Sequence, residues 1–465
     1  MLLTVFAVRA FDAWRSPPLS LWHTEAPHEL DADEIDAADW AAWLRAEASA
    51  FDEVRERVSD QLPEEDRIAA NRYFTGSPMH ASHFATDWNR SYVQAPEGRA
   101  RGAVVLLHGL TDSPYSLRHI GDYYRAKGFA VVAIRLPGHG TVPAGLTRVR
   151  REDWSAATRL AIRHARSLAS EGPLHVVGYS NGGALALEYA LRSLDDDELP
   201  RADQLVLLSP MVGITSVARF AGVLGWPAVF PGFARAAWLD TLPEYNPYKY
   251  NSFPVNGARQ SSQLVDSVQD GLLDRAEKNS LGAFPRVLAF QSVIDATVSS
   301  RAVLDVFGLL PPNGSELVLY DRNRAAEVGP LVRHTSTGLL DEFNPASTRN
   351  YSFTLVTGSG ADAAISEAHS WPARGATRVV EPVGSNYPAD MYSLSHVALP
   401  FPPDDALYGR QPRPGENYGV QLGNVAVRGE RGTLVVGVET LMRAMYNPFL
   451  GYQLDRIGAT LPATP

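Results

Sequence analysis

The chain has 465 residues, 45% of them hydrophobic, and a net charge of −10. That is enough for two or three domains, or for one large α/β domain with insertions, and an acidic balance without a basic run argues against nucleic acid and against charge-driven anchoring to acidic lipid. Cysteine is absent, which excludes disulfides and a thiol nucleophile and leaves the redox compartment open.

The first nine residues, Met1 to Arg9, are apolar but too short to span a bilayer and lack the basic flank of a secretion signal. They read as a segment packing on the body, with the trimmed end of an anchor as the alternative. The most apolar later stretch, Val212 to Phe233, is interrupted by Arg219, Pro227 and Pro231. No membrane span is expected, and the location is cytoplasmic or at the cell envelope; membrane contact through the N-terminus or a cap is left open. Residues 33–73 read as helical, with Trp40, Trp43, Leu44, Phe51 and Val54 on one apolar stripe. Next, Met79-His80-Ala81-Ser82-His83 with Asp87 gives two histidines three apart, a weak metal pattern without a further ligand.

From Arg101 the pattern alternates between strand and helix. Ala103–Leu107, Ala130–Arg135, Leu174–Tyr179, Gln204–Leu208, Arg286–Phe290 and Glu316–Tyr320 read as strands buried on both faces. Ser116–Ala126, Asp153–Ala169 and Asn181–Ser193 read as helices between them, which predicts a mostly parallel sheet covered on both sides.

The most informative stretch is Gly178-Tyr179-Ser180-Asn181-Gly182, where a strand runs into a sharp turn and then a helix. A serine there is held in a strained conformation with its hydroxyl exposed, and the flanking glycines remove Cβ atoms that would collide with strand and helix. The following helix aims its amides at developing negative charge. Upstream, Val105-Leu106-Leu107 runs into His108-Gly109-Leu110-Thr111-Asp112-Ser113-Pro114, where Asp112 or Ser113 can cap a helix opened by Pro114. In such an architecture the amides of Asn181 and Leu110 are the expected oxyanion donors.

With Leu136-Pro137-Gly138-His139-Gly140 between them, these motifs resemble, in order and spacing, the α/β-hydrolase superfamily. Within it the chain is similar to carboxylesterases and to monoacylglycerol-lipase-like or lysophospholipase-like enzymes. The likeness covers about 101–321 well and the C-terminal part less well. It implies the chain order nucleophile, acid, histidine, with no metal or organic cofactor, and a loop-shaping role for His139. Asp295, just past the strand-like Arg286–Ser292, matches the family's acid position; Asp321 is its rival.

Three histidines follow Asp295, namely His334, His369 and His396. Tyr392-Ser393-Leu394-Ser395-His396-Val397 resembles the family's small-residue, histidine, apolar-residue pattern, which favours His396, although 101 residues separate it from Asp295 (396 − 295). That separation requires residues 323–390 to be an excursion that leaves and returns to one sheet edge, which is cheap in loop-closure entropy. The closing helix is expected at Leu434–Met445.

The expected organisation is an N-terminal helical extension (1–98), a hydrolase core (99–210 and 286–322), a cap (211–285), an insertion (323–390) and a C-terminal core part with the histidine loop (391–465). Trp226, Phe230 and Trp238 are candidates for substrate contact from the aromatic cap, beside Phe233, Tyr245, Tyr248, Tyr250 and Phe253. The expectation is a serine hydrolase of carboxylic esters with apolar acyl groups. Amidase, thioesterase or acyltransferase chemistry on the same residues, or an inactive binding protein, are the alternatives.

Overall fold

The chain forms one wide sheet between helices. The computed structural model describes residues 18–213, 231–324, 326, 349–359, 362–423 and 442–462. Its strands are β1 (Tyr92–Gln94), β2 (Gly102–Leu107), β3 (Phe129–Ile134), β4 (Leu174–Tyr179), β5 (Gln204–Leu208), β6 (Trp238–Asp240), β7 (Phe253–Pro254), β8 (Arg286–Ser292), β9 (Glu316–Tyr320), β10 (Ser352–Ser359), β11 (Asp362–Trp371) and β12 (Val379–Asn386). Ten of them join in the order β1-β3-β2-β4-β5-β8-β9-β10-β11-β12. Neighbours from β3 to β10 in that order run parallel, while β1, β11 and β12 are antiparallel additions at the two edges.

The apolar runs work as two-faced strands. Ala103, Val105 and Leu107 of β2 point into one core, and Val104 and Leu106 into the other. Helices Arg151–Leu168, Asn181–Arg192, Val255–Glu277 and Ser300–Leu309 cover the first face, and Arg118–Ala126 and Leu450–Gly458 the second. This mostly parallel, two-sided sheet with its strand–elbow–helix unit is the α/β-hydrolase fold.

Four differences from the expected elements have physical causes. The stretch 33–73 is α-helical only over Ala32–Ala37 and Trp40–Arg57, and then gives way to short 3₁₀ turns on either side of Pro63, whose ring disfavours helix in the residue before it. Within the 211–285 stretch, Val255–Glu277 buries Leu264, Val265, Val268 and Leu272 in the same core as the sheet. That helix therefore belongs to the body, and Tyr250 from the segment ahead of it joins the same core. The 323–390 stretch widens the sheet: β10 lies parallel to β9 with Ser352 beside Glu316, and β11 and β12 follow antiparallel. Of the expected closing helix, residues 434–441 lie outside the described residues and 442–445 are not helical; Leu450–Gly458 packs on the sheet, with Phe449 stacked on Tyr320 (5.6 Å) and Gln453 accepting from the Tyr320 hydroxyl (3.2 Å).

The N-terminal part is fastened electrostatically. Buried Arg135, just after β3, donates to Glu47 (3.1 Å) and to Glu29 (2.9 Å), and Ser91 Oγ donates to Glu47 (2.7 Å). Among the described residues no helix is long and apolar enough to cross a membrane. Met1 to Arg9, and most of Val212 to Phe233, lie outside the described residues.

Candidate active site

Ser180 sits between β4 and helix Asn181–Arg192 with φ 54° and ψ −115°. A non-glycine residue is held there only when its surroundings over-determine it. They do: its amide donates to Leu208 (3.0 Å), and its carbonyl accepts from Gly183 (2.9 Å) and Met211 (2.9 Å). The glycines are steric necessities, since a Cβ on Gly178 would lie 2.4 Å from the Gly182 carbonyl, and one on Gly182 only 2.0 Å from that of Leu107. Thr111 and Ser209, also near the ends of parallel strands, share the positive φ (62° and 41°).

The loop after β2 lies against the elbow, with Gly109 close enough that a Cβ would touch Ser180 Cβ at 3.3 Å. Leu110 and Ser180 line one cavity of about 550 Å³, and Asn181 opens the helix beside it. Asn181 is anchored by Ser261 Oγ, which donates to its Oδ1 at 2.9 Å. Ser113 stands at the helix boundary without a side-chain capping bond, while Asp112 accepts from Ser116 Oγ (2.7 and 2.6 Å).

Asp295 and His396 meet across the 101 intervening residues: Nδ1 of His396 donates to Oδ2 of Asp295 at 3.1 Å. The other carboxylate oxygen accepts from the amides of Thr297 (2.8 Å) and Val298 (2.9 Å), and Oδ2 accepts also from Gln291 Nε2 (3.0 Å). Burial pushes the Asp295 carboxyl up, but the His396 hydrogen bond and charge and these amides outweigh it and hold the group below its ordinary value. Burial drives the His396 imidazole down; the Asp295 contact opposes this, and the charges of Lys249 and Arg443 add to it. His396 lines the same cavity as Ser180.

The rival residues are engaged elsewhere. Asp321 accepts from Thr357 Oγ1 (2.9 Å) and Arg324 (3.0 Å) at the base of the added strands. His369 lies on β11 beside Glu367 (3.2 Å), and His334 lies outside the described residues. His139 is fully buried, with Nδ1 3.1 Å from the Pro137 carbonyl oxygen. His80 bonds Ser82 (2.7 Å), and the described residues hold no group of three or more potential metal ligands.

Of the aromatic candidates, Trp226 and Phe230 lie outside the described residues. Trp238 is buried edge-on against His23 (4.8 Å), away from the cavity lining, which takes Tyr245, Tyr250 and Phe253 instead. The Tyr250 amide donates to the Thr111 carbonyl (2.7 Å) and so ties this segment to the loop after β2. A second covering segment has no sequence signal: Val397, Phe401, Tyr408, Leu422, Arg443 and Met445 complete the wall. It is fixed by buried Asp405, which accepts from Arg118 (2.8 Å), His119 (2.8 Å) and Tyr115 (3.0 Å). Gln291 and Lys249 were equally silent, although a glutamine inside an apolar strand run is a signal that could have been used.

The family described as "Hydrolase_4: Serine aminopeptidase, S33" matches residues 98–242. The chain is 27% identical over 168 residues to the thermostable monoacylglycerol lipase of Bacillus sp. (strain H-257), covering 35% of this chain and 61% of that one. To the carboxylesterase of Bacillus subtilis (strain 168) it is 31% identical over 170 residues, 37% of this chain and 65% of the esterase. To the magnesium-chelatase 30 kDa subunit of Rhodobacter capsulatus it is 34% identical over 154 residues, 31% of this chain and 45% of the subunit. The chain thus spans less than two thirds of the length of each of these relatives. Its sheet, its strand–elbow–helix unit and the family match over residues 98–242 together make the chain similar to the α/β-hydrolases, whose fold it has.

Proposed function

We propose that the protein is a serine hydrolase of carboxylic esters. Ser180 attacks the ester carbonyl, His396 takes its proton, and Asp295 orients the imidazole and stabilises its charged form. The amides of Leu110 and Asn181 hold the oxyanion. His396 then protonates the leaving alcohol, and water, activated by the same imidazole, releases the acid from Ser180. The observation that carries this reading is the His396–Asp295 hydrogen bond of 3.1 Å, on the cavity that also exposes a serine held at φ 54°. The relatives named monoacylglycerol lipase and carboxylesterase support the substrate class. The apolar wall, with Leu110, Met211, Leu242, Phe253 and Phe401, favours an apolar acyl group.

The matched family's name raises aminopeptidase action as a second reading. A free amino terminus needs an available carboxylate, and among the described residues the one carboxylate on the cavity wall, Asp112, already faces Lys249 and accepts from Ser116. The wall therefore favours esters.

The test is labelling with a fluorophosphonate probe together with turnover of p-nitrophenyl esters of increasing acyl length. Wild-type protein should label and turn over, with specificity rising by up to a few-fold per methylene. Ser180→Ala should lose both. Labelling that survives in Ser180→Ala would remove the serine from its role.

A further inference from the structure

Two basic side chains stand on the cavity wall without a direct ion pair among the described residues. Lys249 and Arg443 both line the cavity that holds Ser180 and His396. Among the described residues neither forms an ion pair, and Lys249 makes no hydrogen bond. Arg443 donates only to Thr297 Oγ1 (2.9 Å), a residue whose own amide holds Asp295, so its guanidinium keeps donors to spare. Asp112 is the carboxylate that acts on Lys249, and its two oxygens also share the single Ser116 hydroxyl proton (2.7 and 2.6 Å). Burial pushes the Asp112 carboxyl up with Lys249 opposing it, and pushes the Lys249 ammonium down with Asp112 opposing it, so a further anion beside Lys249 would favour its charged form. The charged groups at this corner are Asp112 and Arg443, which act on Lys249, and Asp295, which acts with Lys249 and Arg443 on His396; with Asp295 bonded to the imidazole, the cavity wall itself has two basic groups to one carboxylate among the described residues. Partly desolvated cations of this kind are costly unless something anionic offsets them.

Their side of the cavity is set by the histidine. Both charges act on the His396 imidazole. In ester cleavage the imidazole that protonates the departing oxygen adjoins the alcohol part of the substrate, not the acyl part. The apolar wall near Leu110 and Met211 is left for the acyl chain.

We propose that Lys249 and Arg443 form an anion subsite for the leaving alcohol, so that the preferred substrate is an ester of an apolar acid with an alcohol bearing a carboxylate or a phosphate. This rests on the ester-hydrolase reading and narrows its substrate class. Besides binding the anion, the cations favour the alkoxide character that develops on the leaving oxygen, so the gain should reach kcat as well as KM.

The test compares matched pairs of esters. One pair is 4-(butyryloxy)benzoate and its methyl ester, and the other is 1-octanoylglycerol 3-phosphate and 1-octanoylglycerol. The charged member should have the higher kcat/KM in at least one pair, which identifies carboxylate or phosphate, by about tenfold at low ionic strength, with the advantage shrinking as salt is added. Lys249→Met and Arg443→Gln should each lower the charged-to-neutral ratio about threefold or more, and Lys249→Arg should retain most of it. A wild-type preference for the neutral member in both pairs, or a ratio unmoved in Lys249→Met, would overturn the subsite while leaving the hydrolase intact. Turnover of p-nitrophenyl esters but of none of these four would likewise overturn the subsite, whereas absence of turnover with all of them would bring down the ester-hydrolase reading, and this inference with it.

Discussion

The backbone amide of Asn323 donates to the carbonyl of Tyr392 at 2.9 Å, across the base of the three strands added after β9. Its side-chain amide donates to Pro388 (2.9 Å) and Met391 (3.0 Å) as well. One residue thus closes the excursion at its root, just ahead of the His396 loop. Loop-closure entropy makes a long excursion cheap; Asn323 makes its return point definite.

Asn323→Leu keeps the volume and removes the side-chain donors. Leaving two buried carbonyls without this partner should cost about 1–3 kcal/mol, read by chemical denaturation. If the closure positions the histidine loop, kcat on a p-nitrophenyl ester should also fall, with KM little changed. Loss of stability at unchanged kcat would confine Asn323 to a structural role.

Alanine replacements of His334, His369 and His396 separate the candidate bases. His396→Ala should lose on the order of 10⁴–10⁶ in turnover, as severely as Ser180→Ala. His369→Ala removes a strand-face side chain paired with Glu367 and should stay close to wild type. Near-normal turnover in His396→Ala would reassign the base.

In the proposed mechanism His396 acts in its neutral form, and burial together with Lys249 and Arg443 lowers its pKa. A lowered pKa keeps the imidazole neutral to lower pH, so the acid limb of the kcat/KM profile should have its midpoint below the ordinary imidazole value of about 6.5. Removing a nearby cation eases protonation, so Lys249→Met should move that midpoint upward. A downward or absent shift would show that Lys249 does not act on the base.

Glu47→Ala tests how the N-terminal part is held. It leaves the buried Arg135 guanidinium short of a partner and Ser91 without its acceptor. Breaking such a buried pair typically costs about 3–5 kcal/mol, which denaturant midpoints would register. A change below about 1 kcal/mol would reduce the contact to a surface pair.

What was legible in the sequence was what is local. β4, β5 and β9 were readable to the residue because burial on both faces forces continuous apolar runs. The elbow was readable because glycines 178 and 182 are demanded by contacts within a few residues and one neighbouring strand. Less legible was anything assembled from distant loops. Lys249, Arg443 and the wall from Val397 to Leu422 converge only through tertiary packing around Asp405. β12 escaped a full reading because it is largely exposed and shows no alternation. The stripe from Trp40 to Val54 was real, but Leu44 on it is 37% exposed, and propensity alone could not foresee the break near Pro63.

The added strands also decide how the sheet ends. A sheet that stopped at a regular parallel strand would offer neighbouring molecules a straight row of unpaired amides and carbonyls. The chain ends this edge on β12, where Pro382 has no amide hydrogen to offer and Gly384 turns to φ 76°. The β11–β12 register slips between Ile365 and Glu367, which bends the edge further. Ile365, Val379 and Val380 remain exposed there, a surface that would otherwise invite strand-to-strand association. The excursion that separates Asp295 from His396 thus also gives the protein an edge poorly suited to being extended by a second chain.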